Sequence, residues 1–569
     1  MLKLLRINLD KQSYLFEDLS SEYAKLGGRA LSSQIINREV PPTVDALDPQ
    51  NKLIFAAGIL AGTSFPNSGR LSVGAKSPLT SGIKEANAGG NAAQKLPRLG
   101  IQAIVLEGSA DQLTTLKIDN AGVSFTGADS IKGMGNYQVI EDLKKEHGDK
   151  VSIISIGPAG EKKLKAAGVS VTSPDYYVRM AARGGLGAVM GSKNVKAIVI
   201  DDHDSKKVEI KDRETFKKAA AKFTKGVLAY PMIEGLTALG TPLLVNLING
   251  MGCLPTRNYS VGQFDKAQQI SGEHIAGLMA ERPNSVSGHR CMSGCIIGCS
   301  NVFTDEKGEV IVSGLEYETI GLVGSNCMID DIDMIAKINW ACNDIGVDTM
   351  DVGAALALAM EADILKMGDA QGALALVNEI REGTDNGIMI GNGCKVTGDA
   401  LGSKRIPCVK GQGMAAYDPR GLKGTGTSYA TSSMGADHTV GNAIPNPLSK
   451  YDPSSPDGQA EMSSFLQIYH AAIDSMGLCL FASLPALDFA DLQGHIVQSI
   501  SALYGEPLDE DYIKQLGITA LKAEREFNNK AGFTKDDDRL PQFFKEEPLL
   551  PSGNVFDVSD DNLDKVNAF

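Results

Sequence analysis

The nine residues Cys291-Met-Ser-Gly-Cys-Ile-Ile-Gly-Cys299 are the most informative stretch of this chain, because they contain three of its nine cysteines. A fourth cysteine lies far downstream, in Asp474-Ser-Met-Gly-Leu-Cys479. Four thiolates in a three-plus-one arrangement are the usual ligand set of a cubane iron–sulfur cluster. The spacing therefore predicts a cluster held by Cys291, Cys295, Cys299 and Cys479.

Two other interpretations of these cysteines stay open at this point. Residues spaced by four also share one face of a helix, where reduced thiols behave as small hydrophobes. Gly294 and Gly298 favour a loop instead, because a glycine costs a helix interior about 1 kcal/mol relative to alanine. Four thiolates also suit tetrahedral zinc, although zinc sites more often use Cys-x2-Cys pairs.

Length and composition limit the class of protein. The chain has 569 residues, enough for two to four domains, and 43% hydrophobic and 22% charged residues are ordinary for a globular protein. A formal net charge of −14 argues against a nucleic-acid-binding surface. No run approaches ~20 apolar residues, so no membrane span is expected. Nine cysteines and a start without signal-peptide character predict a reducing cytoplasm.

The pattern of apolar residues predicts an α+β fold, β-rich first and mainly helical afterwards. Short apolar or alternating runs predict strands at residues 3–9, 53–59, 103–107, 115–118, 151–156 and 197–200. Asp212 either caps a helix over Arg213–Leu228 or belongs to a charged linker. Helical periodicity recurs at residues 334–345, 352–366 and 462–476.

Two of these predicted helices end in matching sequences, Asn343-Asp-Ile-Gly-Val-Asp348 and Asp474-Ser-Met-Gly-Leu-Cys479. Taken singly, Gly346 and Gly477 are ordinary residues for the end of a helix, because glycine accepts the left-handed conformation there. As a pair, the two ends place amide and carboxylate acceptors beside rigid turns, and such acceptors suit the N–H donors of a pterin. The second end also contains Cys479, which would place the cluster next to that ligand.

Further motifs are spread over the chain: Ser68-Gly-Arg-Leu-Ser-Val-Gly-Ala-Lys-Ser-Pro-Leu-Thr80, Asn87-Ala-Gly-Gly90, Ala182-Arg-Gly-Gly-Leu-Gly-Ala-Val-Met-Gly-Ser-Lys-Asn194, Glu316-Tyr-Glu-Thr-Ile320, Asp418-Pro-Arg-Gly421, Tyr429-Ala-Thr431 and Gly532-Phe-Thr534. With them the chain resembles the aldehyde:ferredoxin oxidoreductase family of tungsten or molybdenum bis-pterin enzymes. The resemblance implies three domains: a β-rich base that cradles the cofactor (1–208) and two mainly helical domains that close over it (209–415 and 416–569).

The resemblance also implies a set of cofactors and site residues. A tungsten or molybdenum ion would be held by two pterins, with magnesium bridging the pterin phosphates and a 4Fe–4S cluster on the four cysteines. The residues that match cofactor-binding positions are Arg70, Asn87, Gly89, Gly90, Arg183, Gly184, Gly185, Asn343, Gly346, Asp348, Asp474, Gly477 and Leu478. Glu318 and His438 match the catalytic glutamate and histidine, with Glu316 as the reserve. The neighbour of His438 in the sequence, Asp437, is expected to orient the imidazole, although the resemblance does not itself imply this.

The chain departs from the archetype of the family at two places. Asn343 stands where the archetype has an acid, which makes one pterin contact neutral. Three residues separate Cys291 from Cys295, where the archetype has two. That spacing is closer to a branch that includes the tungsten subunit of benzoyl-CoA reductases, so the archetype's substrate does not transfer directly.

The resemblance implies oxidation of an aldehyde to a carboxylic acid with water. Glu318 and His438 would handle protons, since an imidazole titrates near neutrality. No ferredoxin-like domain occurs in the chain, so electrons would pass to ferredoxin or to an iron–sulfur partner subunit. Two alternatives are a low-potential reductase subunit acting on an acyl-CoA or another non-aldehyde, and a zinc-stabilised binding protein. The choice of metal, the small-molecule substrate and assembly as a homodimer or hetero-oligomer stay open.

Overall fold

The structure, a computed structural model, describes residues 2–444 and 452–568. Within these residues the strands form two six-stranded sheets, a three-stranded sheet and a two-stranded sheet. The strands are β1 Lys3–Asn8, β2 Ser13–Asp18, β3 Leu53–Ala57, β4 Leu71–Lys76, β5 Ile83–Ala88, β6 Ile101–Glu107, β7 Thr114–Asp119, β8 Gly122–Gly127, β9 Ser152–Ser155, β10 Val169–Thr172, β11 Val178–Ala181, β12 Val195–Ile200, β13 Val286–His289, β14 Ser300–Thr304, β15 Val310–Ser313, β16 Cys408–Val409 and β17 Gln412–Gly413.

The α-helices of the described residues lie mainly after the two large sheets along the chain. They are α1 Gly28–Glu39, α2 Ala92–Lys95, α3 Asn136–His147, α4 Pro158–Glu161, α5 Leu186–Ser192, α6 Arg213–Leu228, α7 Pro231–Leu239, α8 Leu244–Gly250, α9 Gly272–Glu281, α10 Tyr317–Thr319, α11 Ile332–Ile345, α12 Thr349–Glu361, α13 Ala370–Glu382, α14 Asp385–Gly391, α15 Gly393–Ala400, α16 Lys423–Thr431, α17 Gln459–Met476, α18 Leu480–Ser483, α19 Pro485–Asp488, α20 Ala490–Tyr504, α21 Tyr512–Lys530, α22 Phe543–Glu546 and α23 Asp560–Leu563.

The predicted fold class is confirmed, because both six-stranded sheets lie before residue 201 and the rest is mainly helical. Each of the six predicted strand segments coincides with a strand. The Asp212 side chain accepts a hydrogen bond from the Thr215 N–H at 3.0 Å, so the capping interpretation of Asp212 is the correct one. The domain boundaries at 208 and 415 stay a prediction.

The first sheet, ordered β2-β1-β6-β3-β4-β5, brings two predicted site residues of the N-terminal motifs together. Antiparallel β4 and β5 pair Leu71 with Ala88 and Ser72 with Asn87. Arg70, immediately before β4, therefore lies beside Asn87. Apolar residues of the two large sheets share one core, and α1 packs on the other face of the first sheet. Strands β3, β4 and β5 are buried almost throughout and form the base of the site.

Among the described residues, no single helix has the length and apolarity to cross a bilayer. Two pairs of consecutive helices have this length and apolarity only when the two helices are taken together, and each pair is sharply bent. They are Pro231–Leu239 with Thr241–Gly250 and Gln459–Met476 with Leu480–Asp488. Both pairs contribute to the cavity described next.

Candidate active site

A cavity of about 870 Å³ lies between the first sheet, the ends of α11 and α17, and the loops before α10 and α17. Its volume is within the range of small-molecule sites. The predicted site residues that line it are Arg70, Asn87, Gly89, Arg183, Cys291, Cys299, Glu316, Glu318, Asn343, Asp348, His438, Asp474 and Cys479. The structure thus brings together residues that lie up to about 400 positions apart in the chain. Gly90, Gly184, Gly185, Cys295, Gly346, Gly477 and Leu478 do not line it.

The cysteine-containing segment from Cys291 to Cys299 is a loop, as predicted. Gly294 and Gly298 adopt left-handed backbone angles, with φ of 79° and 68°, which side chains other than glycine rarely accept. The interpretation that the three cysteines share one face of a helix is therefore wrong. The loop meets the end of α17, so that Cys479 faces the same end of the cavity.

Asn67 joins the loop to the fourth cysteine. Its N–H donates to the Gly294 carbonyl at 3.0 Å, and its own carbonyl accepts from the Cys479 N–H at 2.8 Å. Its side-chain oxygen accepts from the Ile296 N–H at 2.9 Å, and its side-chain nitrogen lies 3.5 Å from the Cys295 sulfur. Asn67 adopts a left-handed φ of 53°. Sequence analysis missed it, although it directly precedes the motif that begins at Ser68.

The four thiols lie near one another. Cys295 and Cys479 are close enough to Cys291 and Cys299 to influence the pKa of those two thiols. Within residues 2–444 and 452–568, no three His, Cys, Asp or Glu side chains are arranged to hold a single metal ion. Burial raises the pKa of Cys291 to about 12, so a thiolate here needs the positive charge of a bound metal.

The end of α17 is tied to the first sheet. The Arg70 guanidinium donates to the Asn87 side chain and, at 3.0 Å, to the Asn87 carbonyl. Asn87 donates in turn to Asp474 at 3.0 Å, and the Arg70 N–H donates to the Gly477 carbonyl at 3.1 Å. Arg29, fully buried on α1, lies 3.3 Å from Asp474. Four predicted residues are therefore linked in one network.

A second carboxyl group faces this network. Glu85, on β5, lines the cavity, and one of its carboxylate oxygens has no hydrogen-bond partner. Burial raises the pKa of Glu85 to about 8, and the neighbouring Asp474 adds to this shift. Burial also raises the pKa of Asp474, to about 6. A protonated carboxyl can donate as well as accept, which suits contact with a polar heterocycle.

The end of α11 is held by Arg183. Its Nε donates to Asp348 at 3.2 Å, and its Nη1 donates to the Ala436 carbonyl at 2.7 Å. Asp348 also caps α12 by accepting from the Met350 N–H at 3.0 Å. Gly346, with φ of 81°, ends α11 in the expected left-handed turn. Both predicted helix ends therefore have the glycine cap and the adjacent carboxylate.

The glycine pair Gly184-Gly185 has a packing role in the structure. A Cβ on Gly184 would lie 2.3 Å from the Lys84 side chain, and one on Gly185 would lie 2.5 Å from the Lys165 carbonyl. Both residues have positive φ. Gly89 differs, because a Cβ there would lie 3.0 Å from the Cys291 sulfur. The expectation that these glycine N–H groups contact phosphate stays a prediction.

Glu318 and His438 lie together at the inner part of the cavity. The distance from His438 Nε2 to Glu318 Oε1 is 3.5 Å. The Ala416 N–H donates to Glu318 Oε2 at 2.8 Å, while Glu318 Oε1 has no hydrogen-bond partner. On the other side of the ring, His438 Nδ1 lies 3.6 Å from Asp437 Oδ1. The imidazole is therefore flanked by two carboxylates.

Asp437 is kept ionised by buried cations. Lys84, fully buried on β5, donates to Asp437 Oδ2 at 2.7 Å, and Arg183 Nη1 lies 3.9 Å from Asp437 Oδ1. Burial acts to raise the pKa of Asp437, but Lys84 and Arg183 outweigh it and hold that pKa well below its usual range. Sequence analysis missed Lys84, because nothing in its local pattern indicates that it reaches Asp437.

Glu316 has a different environment from Glu318. Its carboxylate accepts hydrogen bonds from Thr241 at 2.5 Å and from Ser300 at 3.1 Å. It also lies near enough to Cys299 to influence the pKa of that thiol. Both of its oxygens are therefore occupied, on the side of the cysteines. Glu318 is the better candidate for proton transfer.

Several buried polar atoms in the cavity wall have no partner within the protein. They are Glu85 Oε1, Arg179 Nε, Glu318 Oε1, His438 Nδ1 and both ring nitrogens of His470. A buried polar atom without a partner costs about 1–3 kcal/mol, so a bound polar group is expected to satisfy these atoms. Such a mixture of donors and acceptors fits a site that holds a pterin cofactor together with the polar group of a substrate. His470 lies four residues before Asp474 on α17, a spacing that could have indicated it, whereas Arg179 lies on β11 and no such spacing connects it to Arg183.

The outer part of the cavity is apolar. Its wall comes from α7, α8, and the α17–α19 segment, with these residues: Tyr230, Met232, Leu236, Leu243, Leu244, Leu247, Met462, Phe465, Leu466, Phe481, Leu484 and Leu487. Leu247 and Phe465 are about half exposed, which marks the opening to solvent. Glu461 and Asp488 are the charged residues here, and no lysine lines the cavity in the described part of the chain. The entrance is therefore apolar to acidic.

Two family profiles match consecutive parts of the chain. One, "Aldehyde ferredoxin oxidoreductase, N-terminal domain", matches residues 4–202, and "Aldehyde ferredoxin oxidoreductase, domains 2 & 3" matches residues 218–566. A "Tungsten-containing aldehyde ferredoxin oxidoreductase" from Pyrococcus abyssi (strain GE5 / Orsay) is 37% identical over 586 residues, covering 97% of this chain and 92% of the relative. The chain belongs to the aldehyde ferredoxin oxidoreductase family. The resemblance identified from the sequence motifs is confirmed, and the protein is an oxidoreductase.

More distant relatives of this aldehyde ferredoxin oxidoreductase family member differ in their named activities. An "Aliphatic sulfonate oxidoreductase, WOR-like subunit" from Pyrococcus furiosus is 25% identical, covering 97% of this chain and 90% of the relative. A solved structure, "Active site complex BamBC of Benzoyl Coenzyme A reductase in complex with 1,5 Dienoyl-CoA", aligns with a TM-score of 0.78 and 19% identity, covering 95% of this chain and 90% of that one. At that identity the similarity concerns the fold alone.

Proposed function

We propose that this protein is a tungsten-dependent oxidoreductase that oxidises an apolar aldehyde to a carboxylic acid with water. The reaction releases two protons and two electrons for each aldehyde. The observation that carries the proposal is the Glu318–His438 pair, 3.5 Å apart in the cavity that also receives three of the four cysteines. The proposed proton-transfer residues and the proposed cluster ligands therefore line the same cavity.

Glu318 and His438 divide the proton handling. Glu318 Oε1, which has no partner, takes a proton from the attacking water. His438 Nε2 is the nearest basic atom to that oxygen and relays the proton onward, with the Asp437 carboxylate stabilising the charged ring on its other side. The apolar entrance limits the access of bulk water.

The residues that would hold the cofactor lie on both sides of this pair. Asn343, Asp348 and Arg183 would contact one pterin, and Asn87, Asp474 and Arg70 the other. Asn87 and the backbone near Arg183 would also hold the magnesium ion of the cofactor. A bound tungsten–pterin group supplies the two-electron redox chemistry. Tungsten is preferred over molybdenum because the 37%-identical relative is named as tungsten-containing.

The four cysteines would hold a 4Fe–4S cluster that passes electrons outward. The Ser293–Gly294 tip of their loop is exposed to solvent, which gives an external electron carrier an approach to this end. We propose ferredoxin or another iron–sulfur protein as that carrier.

The apolar and acidic lining of the entrance favours an uncharged aldehyde over an acyl-CoA or a sulfonate as the substrate. Phosphate and sulfonate groups are usually bound by lysine and arginine, and the apolar part of the cavity offers neither among the described residues. Its acidic residues would repel an anion. An uncharged alkyl or aryl aldehyde suits this wall.

Metal analysis of anaerobically purified protein is the first test. About one tungsten and about four iron atoms per chain are expected. No tungsten and no molybdenum, with about one zinc per chain, would overturn the proposal and favour the zinc-stabilised binding protein.

Aldehyde-dependent reduction of a viologen dye by the metal-replete enzyme is the second test. Benzaldehyde and hexanal are expected to support turnover, whereas glyceraldehyde 3-phosphate is expected to be a poor substrate. No turnover with any aldehyde, together with reduction of an acyl-CoA by reduced viologen, would favour the reductase alternative.

A further inference from the structure

One face of α17 lines the cavity from its entrance to its inner end. Met462, Leu466, His470 and Asp474 follow one another at intervals of four residues, and all four line the cavity. Each interval advances about 6 Å along a helix. Phe465, half exposed, marks the outer end, and Asp474 contacts Asn87 at the inner end. Beyond Glu461 at the entrance, His470 is therefore the first polar side chain of α17 that lines the cavity.

The His470 ring is buried and has no side-chain partner. Only 2% of its surface is exposed, and neither ring nitrogen has a partner at full hydrogen-bond geometry. The nearest polar group is the Thr439 main chain, which acts on the pKa of the ring as a hydrogen-bond partner, and His438 also influences that pKa. Consistently, α17 packs against the His438–Val440 turn. His470 thus faces the cavity at the level of His438.

The two imidazoles have contrasting surroundings. His438 lies between the carboxylates of Glu318 and Asp437. His470 has no carboxylate within ion-pair distance among the described residues, and burial lowers its pKa to about 4. A histidine of this kind stays neutral at physiological pH and presents one N–H donor. Two histidines in one site with such different surroundings are suited to different tasks.

We propose that His470 is a substrate-binding catalytic residue, whose neutral imidazole donates a hydrogen bond to the carbonyl oxygen of the substrate. The position rests on the function proposed above, in which that oxygen lies near Glu318 and His438. Donation to the carbonyl oxygen polarises the C=O bond and makes its carbon more open to attack by water. The rest of the substrate would lie against Leu466, Met462 and the apolar entrance.

The contact can be tested by binding, without turnover. Acetophenone has a carbonyl but no aldehyde hydrogen, and ethylbenzene has the same size without the oxygen. Their dissociation constants would be measured by anaerobic calorimetry on the holoenzyme, in the wild type and in the His470→Leu and His470→Gln variants. His495→Leu, on α20 and away from the cavity lining, is the matched control.

His470→Leu is expected to raise the dissociation constant of acetophenone about tenfold, which is the usual effect of losing one buried hydrogen bond. The dissociation constant of ethylbenzene is expected to change less than twofold. His470→Gln, which keeps an N–H donor, is expected to recover part of the loss, and His495→Leu to change neither ligand. If His470→Leu weakened the binding of both ligands equally, or left the binding of acetophenone unchanged, the proposed hydrogen bond from His470 to the carbonyl would be overturned. Loss of tungsten from His470→Leu would also overturn it, since the ring would then contact the cofactor.

This experiment separates the two proposals. A wild-type enzyme that oxidises no aldehyde, yet shows a His470-dependent preference for the ketone, would contradict the proposed activity and support the contact. If the wild-type enzyme oxidises aldehydes and His470→Leu keeps the wild-type preference for acetophenone over ethylbenzene, the proposed activity is supported. The proposed hydrogen bond from His470 is then contradicted.

Discussion

At Glu318, one carboxylate oxygen accepts the Ala416 N–H and the other points toward His438 without a partner. Glu318→Gln keeps the size of the side chain but removes the base, and His438→Ala removes the group that relays the proton. Because general acid–base groups contribute about 10²–10⁴-fold, we expect each variant to lose aldehyde-dependent viologen reduction by at least about 100-fold. Visible absorbance of the cluster should be unchanged, since neither side chain contacts a cysteine.

The control for these variants is Glu309→Gln, at an exposed position of the hairpin before β15. It should keep wild-type turnover. Loss of the visible absorbance in both Glu318→Gln and His438→Ala would show that the two positions are structural.

Lys84 permits a second test at the scale of one residue. Removing its charge leaves Asp437 with Arg183 as its nearest cation, so the pKa of Asp437 should rise from its depressed value. Protonated Asp437 no longer stabilises a charged His438. We therefore expect Lys84→Met to lose activity at acidic pH where the wild type keeps it, which shifts the acid limb of kcat/KM to higher pH. Activity measured from pH 5 to pH 9 would show this shift.

Lys193→Met is the matched control for Lys84→Met. Lys193 is also buried, but its ammonium donates to main-chain carbonyls, including that of Gly108 at 3.1 Å. Its replacement should lower stability without moving the pH profile. An identical profile in Lys84→Met and the wild type would contradict the role given to Lys84.

Sequence motifs predicted Glu318 and His438, but not Lys84 or His470. The first two lie in stretches that resemble a family, whereas the others acquire their role from contacts between distant segments. Lys84 meets Asp437 because β5 passes the loop after α16. His470 was part of a correctly predicted apolar helix, and periodicity alone does not distinguish a core-facing histidine from one that faces a cavity.

At the scale of elements, the end of α17 joins the proposed cofactor site to the cysteine loop. Gly477 has a left-handed φ of 74°, and a Cβ there would lie 2.9 Å from the Gly58 Cα. Its carbonyl accepts from the Arg70 N–H. We expect Gly477→Ala to destabilise the protein by about 1–2 kcal/mol and to displace Cys479, two residues later. Iron content after anaerobic purification should therefore fall well below that of the wild type.

Gly505→Ala is the control for the conformational cost alone. Gly505 ends α20 with a similar φ of 72°, and a Cβ there would meet the Lys211 side chain rather than the site. The thermal unfolding midpoint should fall in both variants, but iron should fall only in Gly477→Ala. Equal iron in the two variants would show that the turn does not position Cys479.

Elements with a strong local pattern could be predicted, and those formed by pairing could not. The helix over Arg213–Leu228 has both periodicity and a capping aspartate, and it begins and ends where predicted. By contrast, β4 and β5 contain Gly74, Lys84 and Glu85, which do not alternate as exposed strands do. They are strands because both faces are covered. The adjacency of Arg70 and Asn87 follows from their register, which no local pattern indicates.

At the scale of the whole molecule, charge pairs join separate parts of the fold. Glu39 on α1 accepts from Arg6 on β1 at 2.8 and 2.9 Å and from Lys52, before β3, at 2.6 Å. Burial acts to raise the pKa of Glu39, but the hydrogen bonds from Arg6 and Lys52 outweigh it and lower that pKa to about 2. The folded state thus binds the Glu39 proton more weakly than the unfolded chain, whose glutamate has the ordinary pKa of 4.5.

The sign of this shift predicts how stability changes with pH. A depressed carboxylate pKa stabilises the folded state above the unfolded value of 4.5, and the contribution is lost as the pH falls from 4.5 to about 2. We expect Glu39→Gln to lower the free energy of unfolding by about 2 kcal/mol at pH 7, the usual worth of a hydrogen bond to a charged group. The difference from the wild type should narrow as the pH falls below 4.5. Thermal unfolding at pH 7, 4.5 and 3 would measure it, with exposed Glu309→Gln as the control. A difference that stays constant over this range would mean that the Glu39 charge does not contribute to stability.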